Sequence, residues 1–66
     1  MLPHQERVVA ERSELGIKLA KLVEFIGAGD KFLHLSVAEQ ARLRRQQAYM
    51  TAYLNVLDER IGAFAA

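Results

Sequence analysis

Ile26-Gly27-Ala28-Gly29-Asp30-Lys31-Phe32-Leu33-His34-Leu35-Ser36-Val37-Ala38-Glu39 is the stretch whose reading decides the fold. Glycine just past a helical run supplies the left-handed residue that closes many helices, so Gly27-Ala28-Gly29-Asp30 is expected to end one helix. Ser36 followed three residues later by Glu39 reads as a capping box. In it the serine hydroxyl accepts from the Glu39 backbone N–H, and the glutamate carboxylate reaches back to the backbone N–H of Ser36. One helix therefore stops, and another starts, across the connection 27–35. Phe32, Leu33 and Leu35 lie within it and are expected to fold over the open end of the pair as a short helical turn.

On the N-terminal side, Val8, Leu15, Leu19, Leu22 and Ile26 recur at intervals of 7, 4, 3 and 4 residues. At ~100° per residue they form one stripe of a helix. Pro3 suits the first turn, where its missing N–H costs nothing. On the C-terminal side, Leu43, Met50, Leu54, Leu57, Ile61 and Phe64 recur at 7, 4, 3, 4 and 3, and only Gln46 and Gln47 interrupt the stripe. The expected helices are about 4–26 and about 37–64, roughly 35 and 40 Å long at ~1.5 Å per residue. A connection this short favours antiparallel neighbours. The reading is all-α: a single domain over 1–66, an antiparallel two-helix hairpin assembled as a homo-oligomeric helical bundle.

The case for a homo-oligomer comes from two sides. The chain has 66 residues and no cysteine, so neither disulfides nor thiolate metal sites can supplement a thin core. Partner chains are the remaining support. The second helix also carries more apolar surface than one stripe: Ala38, Ala41, Ala48, Ala52, Val56 and Ala63 lie roughly opposite the leucines. Small side chains admit close approach of another helix, and Ala48, Ala52 and Val56 are the expected interface. Gly16 joins them, since a glycine inside a helix costs roughly 1 kcal/mol relative to alanine and suggests a close backbone neighbour. The alternatives are alanine as a plain helix former on a solvated face and Gly16 as a tolerated defect.

Composition narrows the function. Nine Lys/Arg and eight Asp/Glu leave a net charge of +1, which disfavours bulk nucleic-acid binding. No apolar run approaches the ~20 residues of a membrane span, and the polar start Met1–Arg7 lacks the apolar core of a signal peptide. A cytoplasmic location without membrane partners is expected. His34 lies four residues after Asp30, but a metal site usually needs three or four ligands and no third is evident. Ser13 and Ser36 have surface and capping roles, and adjacent Asp58 and Glu59 point ~100° apart on a helix. No catalytic residues, metal or cofactor are expected, and the reading is not an enzyme.

One constellation remains. Arg42, Tyr49, Tyr53 and Arg60 fall at offsets 0, 7, 11 and 18, a narrow wedge beside the core stripe, with Arg45 and Arg44 nearby. Tyrosine rings can stack on bases, and guanidinium groups can hold phosphate through paired hydrogen bonds. Arg42, Arg45, Tyr49, Tyr53 and Arg60 are therefore the ligand-binding candidates. The competing reading has both rings padding a seam between protomers with the arginine stems laid across it.

The sequence resembles a family of very short phage-encoded proteins found in tailed phages and prophages, including crAss-like phages. The residues that carry the resemblance are Glu6-Arg7-Val8-Val9, Glu11, Leu15, Lys18-Leu19, Lys21-Leu22, Phe25-Ile26, Phe32 and Leu35. In the second helix they are Glu39-Gln40, Arg42-Leu43, Arg45-Gln46, Met50, Tyr53, Leu57, Arg60-Ile61 and Phe64. Gly16-Ile17 departs from the longer polar residues expected there. The resemblance implies an accessory protein made in the bacterial host cytoplasm that acts by binding. In size and architecture it is similar to the phage sponges that sequester cyclic nucleotide signals of anti-phage immunity, which are homo-oligomers with pockets between protomers. An inhibitor or adaptor docking on a host protein, and a structural oligomerisation module, are the alternatives.

Overall fold

The protein is described by a computed structural model covering residues 1–64. It contains α1 (Pro3–Gly27), α2 (Asp30–Leu33) and α3 (Val37–Ala63), with no strand among the described residues. α1 and α3 pack along each other and α2 closes one end, giving a helical hairpin with extents of 46 × 15 × 14 Å. Val8, Leu15 and Leu57 form the centre of the seam, and Met50, Leu54, Ile61 and Phe64 pack around them. Leu19 is buried on the same stripe of α1. Both apolar stripes therefore face inward, as their spacing requires.

The start of α1 is held by Pro3 in the first turn and by Gln5, whose Oε1 accepts from the Leu2 backbone N–H at 3.0 Å. The turn falls within the expected stretch Gly27–Asp30. Gly27 is the last helical residue and Ala28 follows in ordinary right-handed geometry. The positive φ belongs to Gly29, at φ 88° and ψ −68°. Asp30 N–H donates to the Ala28 carbonyl at 3.1 Å. This is a γ-turn of the kind with a positive central φ, a rare and strained conformation that glycine accepts most readily. The chain direction changes there.

Past Gly29, Phe32 turns inward and is 1% exposed. The Phe25 ring meets it edge-on at 6.3 Å, and the Arg44 guanidinium lies 5.0 Å from its centroid. Leu33, expected to cover the hairpin end with it, points outward and is 67% exposed. Leu35 is half-buried. A four-residue helix has one inward-facing position, and Phe32 fills it. Gln40 then secures the turn from α3: its Nε2 donates to the Leu35 carbonyl at 2.9 Å.

Only half of the capping box forms. Ser36 Oγ accepts from Glu39 N–H at 3.1 Å, but the Glu39 carboxylate accepts from Arg42 Nε at 2.8 Å. Within the chain, the space at Gly16 is taken by a side chain. A Cβ at Gly16 would stand 2.9 Å from Arg12 Nη1. The missing side chain makes room for Arg12, whose Nε and Nη2 donate to the two Asp58 oxygens at 2.8 and 3.4 Å. That paired contact crosses from α1 to α3 on the solvent side of the seam.

Gly29→Ala should cost about 1–3 kcal/mol in urea unfolding, because it forces a side chain into the strained turn. Gly27→Ala should cost nothing, since alanine suits the helix and a Cβ there meets no atom within 4 Å. Asp58 lies below the ordinary carboxylate range, chiefly through the Arg12 hydrogen bond, with partial desolvation opposing and the arginine's charge adding. A depressed folded pKa stabilises above the unfolded value and is lost as pH falls through the folded one. The stability gap between wild type and Asp58→Asn should therefore persist at neutral pH and close in acid, below about pH 4.

Candidate functional site

α3 presents two surfaces outside the seam. Ala48 and Ala52 are exposed, and Val56 is 50% exposed. Beside them runs an open groove of about 430 Å³, lined by Arg42, Arg45, Gln46, Tyr49, Met50 and Tyr53. That volume lies toward the lower end of the ~300–1,000 Å³ typical of small-molecule sites. Each of them stands three or four positions from another, so a single helix places them side by side.

Their chemistry is mixed in a specific way. Met50 packs on the core and forms the apolar floor. Tyr49 and Tyr53 are 67% and 44% exposed, large amounts for aromatic rings. Gln46 Nε2 lies 3.8 Å from Met50 Sδ and holds the amide beside the floor. Arg42 is ion-paired with Glu39, whereas Arg45 makes no ion pair among the described residues. The lining contains two cations and no carboxylate. Planar rings, an amide and two guanidinium groups suit a ligand with an aromatic face and an anionic group.

The five candidate binding residues divide. Arg42, Arg45, Tyr49 and Tyr53 meet in the groove, while Arg60 does not line it. Arg60 lies seven residues beyond Tyr53, about 10 Å along the axis. It stands in the last turn of α3, where a cation complements the helix dipole. Arg44 is taken up by Phe32 at the turn. Gln46 and Met50 belong to the groove and were not among the candidates. The break in the apolar stripe at Gln46 was the available signal.

The other constellations have structural explanations. His34 Nδ1 donates to the Asp30 backbone carbonyl at 2.6 Å, so the ring caps a turn and does not join the Asp30 carboxylate as a ligand pair. The described residues contain no group of three or more His, Asp or Glu side chains placed to hold a metal. Among them no helix is long and apolar enough to cross a membrane.

Exposure predicts how the groove tolerates change. Tyr49→Ala in an isolated hairpin should shift stability by less than about 0.5 kcal/mol, as an exposed surface substitution does. Leu57→Ala should cost about 2–5 kcal/mol, because Leu57 is fully buried. Urea titrations at low protein concentration measure both.

A family model described as Sequestin matches residues 2–63, and the chain belongs to that family. No curated protein and no solved structure matches it.

Proposed function

We propose that this member of the Sequestin family acts by binding, and that it sequesters a cyclic nucleotide signal in sites completed between protomers. The family's name denotes sequestration, a binding role with no turnover. The single observation that carries the ligand class is the α3 groove, where Tyr49 and Tyr53 stand exposed beside Arg42 and Arg45. The tyrosines stack on the bases, each contact worth about 1–3 kcal/mol. The arginines pair with phosphate oxygens, and Gln46 offers both a donor and an acceptor to a base edge.

The groove is open, which motivates the second copy. All of its lining comes from α3, so no second element forms an opposite wall. Arg45 shares a side of the helix with Ala48, Ala52 and Val56, about 60° or less from each. Another chain laid on that small-residue face would stand beside Arg45 and enclose the ligand. Water would then be excluded from both the stacked rings and the charged pairs, strengthening each. A binder without turnover removes a signal only by mass action, so the protein must be abundant relative to the signal. In this reading it is a phage accessory protein that counters anti-phage immunity in the host cytoplasm.

A second reading is supported by the exposure of Tyr49, Tyr53 and Val56 together. These residues also suit docking against a host protein, with the groove receiving one of its side chains.

A panel of cyclic di- and trinucleotides in a thermal-shift assay distinguishes the two readings. A ligand at 100 times its dissociation constant should stabilise the protein by about 2.7 kcal/mol. Arg42→Ala and Tyr53→Ala should each abolish most of that shift. Absence of a shift with every member would overturn the nucleotide reading and leave the host-protein one.

A further inference from the structure

We propose that Glu39 is the groove's built-in competitor: it occupies Arg42 while the groove is empty and sets the affinity with which an anion can enter. The proposal rests on reading the groove as an anion site, as above.

The observation is the misdirected half of the capping box. Glu39 sits where its carboxylate would ordinarily return to the backbone N–H of Ser36. Its own N–H does donate to Ser36 Oγ, so the backbone is in the capping geometry. The carboxylate nevertheless turns one turn up the helix and accepts from Arg42 Nε at 2.8 Å. Arg42 lines the groove and Glu39 does not. A lining with two guanidinium groups and no acid of its own is thus half neutralised by an acid held just outside it.

Both partners are largely exposed, with side chains 58% and 43% accessible. An exposed i,i+3 pair is weak and exchanges readily. An incoming phosphate can therefore take over the guanidinium. It must first compete with Glu39 for the Nε–H, and it meets repulsion from the carboxylate beyond. Both effects weaken anion binding, and both disappear when Glu39 is made neutral. Glutamine preserves the backbone hydrogen bond to Ser36 and is itself favoured at this capping position, so the start of α3 stays intact.

The test uses inorganic pyrophosphate with the full chain, following the Arg42 and Arg45 side-chain N–H resonances by NMR. Pyrophosphate should move both resonances in the wild type, and Glu39→Gln should tighten its binding about two- to fivefold. In an Arg42→Ala background the same Glu39→Gln change should gain less than half as much, because the competition acts through Arg42. Unchanged affinity in Glu39→Gln, an equal gain without Arg42, or no movement of the Arg42 resonance in either protein would each overturn the proposal. The two readings fail separately. Binding of a cyclic nucleotide with no effect of Glu39→Gln would leave the sponge function standing and remove this role. A Glu39-dependent pyrophosphate site that takes no cyclic nucleotide would do the reverse.

Discussion

Leu57 is completely buried on a helix most of whose surface faces solvent. It lies against Val8 and Leu15, and the hairpin is organised around that contact. Two helices side by side can bury one stripe each and little more. Among the described residues only Val8, Leu15, Leu19, Phe32 and Leu57 are buried. The devices around the seam serve to hold it in place. Arg12 and Asp58 pair across the helices from outside, Gly16 leaves space for the arginine, and Phe32 closes the end beneath Phe25 and Arg44. The same limit leaves Tyr49, Tyr53, Ala52 and Val56 uncovered, and that surplus surface is where function is available.

The helices were legible because burial on one stripe imposes a helical period on leucine, and that period survives in the sequence. Ser36 announced the start of α3 for a similar reason, since its hydroxyl performs a local task over three residues. The turn was harder to read. Gly27 and Gly29 are equivalent by composition, and the choice between them depends on where Phe32 must land in the core. Gly16 carried a signal whose cause within the chain needs the other helix: its neighbour is a side chain four residues away, whose course depends on Asp58. The groove was half legible. Arg42, Tyr49 and Tyr53 share a wedge by spacing alone, but concavity depends on how far Met50 withdraws into the seam and how Gln46 lies against it. Arg60 fits the angular pattern yet misses the groove, because angle on a helix says nothing of distance along it.

Glu39 shows how structural and functional demands meet on one residue. Its backbone belongs to the cap of α3 and its carboxylate to Arg42. The helix start and the proposed anion site are therefore adjacent, joined by the Glu39–Arg42 pair. The proposed sponge needs little beyond this arrangement. Sequestration requires no transition state to be stabilised, so stacked rings and paired guanidinium groups on one helix suffice, provided something covers them.

That covering is the central claim, and native mass spectrometry of the protein with a cyclic dinucleotide tests it most directly, because one spectrum reads chain number and ligand number together. The account predicts an assembly of two or more chains that retains nucleotide, with Arg45 and Tyr53 required for retention. A single chain that stays monomeric at micromolar concentration and holds no nucleotide would contradict it.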